Sequence, residues 1–402
     1  MRTVADHLNL CLEQVAPLDP LDVLLPDTVG CVLAETVCAP FDRPVSDQAS
    51  LDGYAVRTAD IVGASRDEPA FLEVLGELRA GDTQAASLIP GAAMRIASGA
   101  PLPAGADTVV PLEATDQGAR TVRVFVETSP SAYIARRAHD VAQGTPILTE
   151  GTRIGARQVA LLAGVGRARV RVRPKPRVVI VSIGDELVEP GQPASIGAVF
   201  DANGHALASA VADAGATTFR VAAVPDEHDT LRQTLEDQLV RADVIVTTGG
   251  LSYGSADTVK EVLSPLGTVR FDNVAMTPGK QYGAGTLQGV PIFCLPGDPV
   301  AAQVGYEIFI RPALRKMAGW DDYYRPALKA TLDRGWSSPR GRREFVRVNV
   351  SGDPTHGYTA QVTGDPHELL LSGLAAANAL AVVPEAMTKV EAGTQLYCMV
   401  LD

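Results

Sequence analysis

Three short apolar runs without alternation stand out along the chain: Val178-Val179-Ile180-Val181, Val244-Ile245-Val246 and Ile292-Phe293-Cys294-Leu295. Unbroken runs of this length, rich in β-branched residues, predict strands buried on both faces, as in a parallel or mixed sheet between helices. Each run turns at once into polar or glycine-rich chain. The first gives Ser182-Ile183-Gly184-Asp185-Glu186-Leu187, the second Thr247-Thr248-Gly249-Gly250-Leu251-Ser252-Tyr253-Gly254-Ser255-Ala256-Asp257, the third Pro296-Gly297-Asp298-Pro299. Helices are predicted in between. One runs from Asn203 to Ala214 with Gly215 as its stop; another is capped by Asp229, with Leu231, Leu235 and Leu239 on one face. A third, capped by Ser255 or Asp257, runs through Leu263. Asp298 and Pro299 open a long helix toward Met317, which Pro312 should kink or end early. Strand–helix alternation of this kind indicates a three-layer α/β domain over residues 176–320. Ligands of such sheets bind beyond the carboxyl ends of the strands, so the three loops predict one shared site.

The flanks have a different texture. Leu8, Cys11, Leu12 and Val15 follow helical spacing until Pro17, and extended chain follows. From Phe41 to Glu127 short alternating runs (Phe71–Leu75, Ala93–Ile96, Thr108–Val110, Val122–Val126) are split by Gly and Pro, which suits a small β-barrel-like domain over residues 42–132. Residues 1–41 and 133–175 then form an elongated mixed domain. It includes a helix from Ala156 to Ala163 stopped by Gly164. It also includes the period-two stretch Arg167 to Arg173, read as an edge strand whose charges block aggregation, with an anion-binding strip as the alternative. Pro174-Lys175-Pro176 is a stiff linker. Beyond Trp320 the segments Lys329–Leu332, Phe345–Val350, Tyr358–Val362, Ala379–Val383 and Gln395–Leu401 predict a C-terminal β domain over residues 321–402. The expected fold class is therefore multidomain α/β plus β.

Composition narrows the function. With 402 residues, several domains are expected. No apolar run approaches the roughly 20 residues that span a bilayer, and the N-terminus lacks a signal-peptide core, so no membrane is expected as partner. The five cysteines form no Cys-x-x-Cys pair, which fits a reduced, cytoplasmic setting without zinc or iron–sulfur chemistry. A formal net charge of −12 argues against nucleic acid and requires any anionic substrate to be held by local donors. Six histidines (7, 139, 205, 228, 356 and 367) are scattered without metal-ligand spacing, and no Ser-His-Asp constellation can be argued.

Candidate chemistry concentrates after the three strands. Gly249-Gly250-Leu251-Ser252-Tyr253-Gly254 is a phosphate-loop candidate, because glycines admit close approach of backbone N–H groups and a helix N-terminus follows. It matches neither the Walker spacing nor the dinucleotide fingerprint. Asp257, Asp185 and Glu186 could hold Mg²⁺ against phosphate oxygens; helix capping and plain solvation are their alternative readings. Pro296, Gly297, Asp298 and Pro299 lie on the same sheet edge, although a tight turn with an N-cap would leave the same residues. Elsewhere, Ser50 to Tyr54 and Ala97 to Pro101 are turn-like.

Taken together, these residues resemble the molybdopterin molybdenumtransferase family, known as MoeA in bacteria and as the E domain of gephyrin in animals. The motifs run in order along nearly the whole chain. They are Ser50-Leu51-Asp52-Gly53-Tyr54-Ala55 (one residue shorter than the usual S-x-x-D-G-[YFW]-A), Ser98-Gly99-Ala100-Pro101, Arg136-Arg137 with Asp140, and Gly184-Asp185-Glu186-Leu187. After these come Gly249-Gly250-x-Ser252-x-Gly254-x-x-Asp257, Pro278-Gly279-Lys280, Leu295-Pro296-Gly297-x-Pro299, Gly341 to Phe345, and Ala377-Asn378. The resemblance implies an elongated homodimer of four-domain subunits around a central α/β molybdopterin-binding domain. It also implies a reaction in which molybdate is inserted into adenylylated molybdopterin with release of AMP, dependent on Mg²⁺. By the same carry-over, Asp52, Ser98, Asp140, Glu186 and Asp257 are catalytic. Asp52 and Ser98 would come from the second domain, from the dimer partner if the site forms between subunits. Gly184, Asp185, Gly249, Gly250, Ser252, Gly254, Lys280, Pro296 to Pro299, Arg136, Arg137, Arg343 and Ser372 would bind substrate. Asp257, Glu186 and Asp185 would hold the metal, and the molybdopterin adenylyltransferase would be a partner.

Three positions depart from the family pattern. Thr277 stands where Lys, Arg or Gln is usual, Gln281 where Pro is frequent, and Asp298 where Asn is usual. These departures keep open a non-catalytic paralogue that binds molybdopterin or acts as a dimeric scaffold. A nucleotide hydrolase on the same central fold is the other alternative, against which the motifs at Asp52, Ser98 and Asp140 speak.

Overall fold

The structure, a computed structural model, describes residues 1–82, 86–251, 257–266 and 268–401. The chain divides into two compact units, one of residues 1–34, 151–155 and 171–402, the other of residues 35–150 and 156–170.

The larger unit is built on a six-stranded sheet. Its strands are β1 (Arg177–Ser182), β2 (Thr217–Arg220), β3 (Val244–Thr248), β4 (Arg270–Asn273), β5 (Gln281–Leu287) and β6 (Val290–Leu295), in spatial order β2-β1-β3-β6-β5-β4. The first four strands in that order are parallel, and β5 and β4 add antiparallel. Every residue from Val178 to Ser182 and from Val244 to Thr248 is buried. Alternate side chains feed two cores. Val178, Ile180, Val244, Val246, Phe293 and Leu295 face one. Val179, Val181, Ile245, Ile292 and Cys294 face the other. This is the reason the runs show no alternation: both faces are covered.

Helices α1 (Ala202–Asp213), α2 (His228–Gln238), α3 (Thr258–Leu263) and α4 (Pro299–Gly305) cover the sheet. Asp201 caps α1 by accepting from the Gly204 N–H at 2.8 Å, and Gly215 follows in the left-handed region. Two caps differ from expectation. Glu227, not Asp229, takes the N-cap position of α2, and Asp229 pairs with Arg232 instead. Asp257 sits at the N-cap of α3 without making the capping bond, its carboxylate turned to Lys260 at 2.9 Å; Ser255 lies outside the described residues. Asp298 does cap α4, accepting from the Ala301 N–H at 2.9 Å, with Pro299 at the first position. Pro312 does not end the helix. A π-helical turn over Tyr306–Ile310 precedes it, and a helical segment continues from Arg311 to Met317. The wider turn accommodates the missing N–H.

The N-terminal helix, Val4–Glu13, packs Val4 and Cys11 into the core that holds Tyr282 and Phe309. The stretch Arg169–Arg173 is the middle strand of a three-stranded sheet flanked by Leu21–Leu24 and Val32–Leu33, not the edge strand expected. Residues beyond 321 supply five strands of a second six-stranded sheet, Ala327–Leu332, Arg343–Asp353, Gly357–Val362, Ala379–Val383 and Gln395–Val400, near their expected positions, and Met276–Thr277 adds the sixth.

The smaller unit contains a five-stranded β-barrel-like sheet of Gly53–Val56, Ala70–Leu78, Ala92–Ile96, Thr108–Pro111 and Thr121–Val124. Its helix Ala156–Gly164 runs one residue past the expected end, and Gly166, not Gly164, carries the left-handed backbone after it.

Candidate functional site

The carboxyl ends of β1, β3 and β6 converge on a cavity of about 280 Å³. Gly184 and Glu186 enter it from the loop after β1, Gly249 and Gly250 from the loop after β3, and Gly297 from the turn after β6. Sequence reasoning named all five. Ser252 and Gly254 lie outside the described residues.

The glycines serve the fold as much as any ligand. Gly249 has φ +87°, and a Cβ there would lie 2.2 Å from the Ile183 carbonyl oxygen, so no side chain fits. Its N–H donates to Leu295 O at 3.3 Å, and the Gly184 N–H donates to Val224 O at 3.1 Å. Both groups are therefore committed within the protein and are not free to cradle a phosphate.

Two further residues line the cavity that sequence reasoning missed, Asn203 and Asp226. Asn203, in the first turn of α1, is 8% exposed; its Nδ2 donates to Gly297 O at 2.8 Å and to Thr248 Oγ1 at 2.9 Å. Asp226 follows β2, a strand too polar to register as an apolar run. Its backbone N–H donates to Asp185, and its own Oδ1 is buried without a partner. The one available signal was position: Asp226 lies beyond the carboxyl end of a fourth parallel strand.

Asp185 and Asp257 border the cavity's elements without lining it. One Asp257 oxygen meets Lys260, and the other is buried and unpartnered. No group of three or more His, Cys, Asp or Glu side chains converges as a metal cage among the described residues. That donor set suits a hard cation held by one or two carboxylates plus substrate oxygens, and the partnerless oxygens of Asp226 and Asp257 fit one.

The remaining candidates of the larger unit do not line this cavity. Met276-Thr277 pairs parallel with Arg343-Glu344, Met276 opposite Arg343, and the Pro278-Gly279-Lys280 turn follows directly from that short strand. Gly279 has φ +81° and packs against Tyr282 and the first turn of α4. Arg343 forms an ion pair with Glu385 at 3.0 Å. Ser372 is exposed in a short helix, Leu371–Ala375. The loop before it is held by the buried Arg347, which donates to the carbonyls of Asp365 and Glu368 at 2.7 Å and of Leu370 at 3.3 Å. Burial lowers the Arg347 pKa, opposed by the charges of Asp298 and Asp365.

In the smaller unit, Asp52 accepts from the Ser98 N–H at 2.7 Å, and Ser98 Oγ donates to Ser50 O at 3.3 Å. Asp52, Glu77 and Arg95 line a cavity of about 90 Å³. Arg136 binds Asp47 and Ser131, Arg137 binds Asp42, and Asp140 pairs with Arg43 at 3.0 Å. Asp42 and Asp47 are held below the usual carboxylate range, mainly by the backbone N–H groups of Gln143 and Arg137 respectively, with the arginine side chains adding to this.

Comparison with known proteins covers the chain end to end. The profile described as MoeA N-terminal region (domain I and II) matches residues 2–166, that of a probable molybdopterin binding domain residues 179–316, and that of the MoeA C-terminal region (domain IV) residues 329–401. The chain is 39% identical over 402 residues to molybdopterin molybdenumtransferase 2 of Mycobacterium tuberculosis, covering 98% of each. It is 33% identical to the molybdopterin molybdenumtransferase of a Nostoc species, over 100% of this chain and 94% of that one. The crystal structure of the molybdopterin biosynthesis MoeA protein from Pyrococcus horikoshii superposes with a TM-score of 0.82 at 28% identity, covering 100% of this chain and 99% of that one.

Proposed function

The chain belongs to the molybdopterin molybdenumtransferase (MoeA) family, and from that membership we propose how its residues serve the family's reaction. It is an enzyme of molybdenum cofactor biosynthesis. The reaction inserts molybdate into adenylylated molybdopterin and releases AMP with the finished cofactor. The observation that carries this reading is the cavity at the ends of three strands, bordered by carboxylates and glycine turns, in a chain that matches the family over its whole length.

Glu186, exposed at the cavity, is placed to move a proton as AMP departs. Asp226 and Asp257 would hold Mg²⁺ through their partnerless oxygens, and the ion when bound would neutralise charge developing on the phosphate. Asp185 fixes the Asp226 backbone. Lys280, Arg343 and Ser372 of the larger unit would supply positive charge and a hydroxyl for an oxyanion. Asp52 orders the Ser98 loop of the smaller unit, and Arg136, Arg137 and Asp140 hold the adjoining turn. A cytoplasmic homodimer of four-domain subunits, taking its substrate from the molybdopterin adenylyltransferase, completes the proposal. Exposed Leu21, Leu24 and Val29 on the N-terminal segment support a further interface.

The test is complementation of a strain lacking its molybdenumtransferase, scored by nitrate reductase activity. Rescue supports the reading. Failure of a well-expressed, dimeric protein to rescue at any molybdate concentration favours the non-catalytic paralogue, and a monomer in sedimentation refutes the assembly.

A further inference from the structure

The polarity of one hydrogen-bond network at the cavity is fully determined. The Thr248 hydroxyl donates to Pro296 O at 2.8 Å, so its oxygen is an acceptor toward Asn203. The other partner of the Asn203 amide is the Gly297 carbonyl, which can only accept. The atom between these two acceptors must therefore be the nitrogen, and the usual ambiguity of an amide's orientation is removed. Both N–H groups are used. The opposite atom, Oδ1, is then an acceptor, and it is buried with no partner among the described residues.

A buried acceptor left unpaired is costly, and one at the wall of a cavity is satisfied when a bound molecule brings a donor. The other polar side chains of that wall are Glu186 and Asp226, which also accept when ionised, and Thr248, whose proton is spent. The wall is rich in acceptors, and the Gly184 and Gly249 N–H groups are committed elsewhere. An ionised phosphate or molybdate has only acceptors to offer, so it cannot satisfy the Asn203 Oδ1.

We propose that Asn203 is a specificity-determining contact whose Oδ1 takes an N–H or O–H of the substrate. The portion of the substrate that meets Asn203 is then a donor-bearing edge, distinct from the phosphate that a cation at Asp226 and Asp257 would face. The inference rests on the molybdopterin molybdenumtransferase reading for the identity of the substrate. Two parts of adenylylated molybdopterin carry such donors, the amino-pyrimidinone edge of the pterin and the adenosine.

Equilibrium binding to the full chain separates them, with neopterin, AMP and inorganic phosphate as probes, in the native protein and in Asn203→Ala. Asn203→Ser is the replacement if the alanine variant fails to fold by thermal melting. The expected result is a tenfold or greater loss for one donor-bearing probe, which names the source, and less than twofold for phosphate. Losing the tether to Gly297 could by itself loosen the cavity, so the probes are paired with analogues lacking donors, a 2-dimethylamino pterin, N6-dimethyl-AMP and 2′,3′-dideoxy-AMP. The native protein should prefer the donor-bearing form, and the variant should lose that preference. A preference that persists in the variant, or equal weakening of all three probes, overturns the inference. Native protein that inserts molybdenum but binds neither neopterin nor AMP also overturns it while leaving the function intact. Native protein unable to insert molybdenum from adenylylated molybdopterin refutes the function instead, whatever the probes show.

Discussion

Asp185 accepts a hydrogen bond from the backbone N–H of Asp226 at 2.9 Å and so ties the loop after β1 to the loop after β2. The bond divides labour among neighbouring carboxylates. Asp185 spends one oxygen on holding the chain, whereas Asp226 and Asp257 each keep a buried oxygen without a partner.

The roles therefore separate by mutation. Asp226→Asn and Asp257→Ala should each lower AMP release about a hundredfold or more, the usual scale for losing a metal-held or charge-stabilising contact. Asp185→Asn should cost far less and should raise the Mg²⁺ requirement little. Steady-state assays across a Mg²⁺ series check this, and equal loss in all three variants would sink the division.

The glycine loop gives a prediction about stability. Gly249→Ala places a Cβ within 2.2 Å of the Ile183 carbonyl at a positive φ, with backbone on the opposing side unable to yield cheaply. A loss of at least about 2 kcal/mol is expected, from steric overlap together with the left-handed backbone penalty. Urea unfolding measures it. A near-neutral variant would mean that the loop relaxes, and the glycine would then be kept for a ligand's approach.

How much of this was legible follows from which contacts are local. The runs at Val178, Val244 and Ile292 were visible because parallel strands buried on both faces show no polar positions. The same rule hid β2, whose Thr217-Thr218-Phe219-Arg220 is half-exposed, and with it Asp226. Asn203 looked like one more residue of an amphipathic helix; its partner Gly297 is 94 residues away. Arg169 to Arg173 shows why alternation misleads on topology. Its burial does alternate, but alternation reports the two faces and says nothing of how many strands lie alongside. Proline removes a helix hydrogen bond, so Pro312 predicts a kink or an early end; the helix does not end there, and the π-helical turn that accommodates it has no sequence signature. The site motifs carried over from the family were found in order, yet the structure distributes them between the strand-end cavity, the Lys280–Arg343 turns and the smaller unit.

His7 supplies a pH dependence. It is 1% exposed against Tyr282 and Phe309, and burial depresses its pKa to about 4, with Asp272 opposing and Arg2 assisting. At 3.9 Å from Asp272 the ring is thus neutral near pH 7 and makes no ion pair. For a base whose folded pKa lies below its unfolded one, the unfolded chain binds the extra proton. Stability is then complete above about pH 6.5 and is lost as pH falls toward about 4, by about 3 kcal/mol in all. His7→Phe should flatten that slope in urea titrations between pH 7 and 4.5. An unchanged slope would show that His7 is not the group that takes up the proton on unfolding, since Asp42 and Asp47, with depressed carboxyl pKa values, act only below about pH 4.

Asp298 is the family departure with the most to reveal. As a helix cap it is replaceable, since Asn caps about as well as Asp, and on that account Asp298→Asn should cost only a few tenths of a kcal/mol. The structure adds a second partner. Arg347 is 3% exposed, and the Asp298 and Asp365 charges are what oppose its desolvation. Removing one of them leaves a buried guanidinium with less compensation, so the expected loss rises to about 1 kcal/mol. Arg347 also holds the loop that leads into Ser372, so loosening it reaches toward the proposed oxyanion contacts. Against this, the same substitution removes a negative charge from the turn after β6. Two measurements on Asp298→Asn, Arg347→Met and the double variant separate the effects. Urea unfolding should give a coupling energy of about 1 kcal/mol between the two positions. The molybdate concentration for half-maximal insertion should fall in Asp298→Asn if repulsion of the oxyanion dominates. A coupling near zero would leave Asp298 a cap alone. A raised molybdate requirement with the coupling intact would mean that its charge acts through Arg347 to hold the Ser372 loop in place.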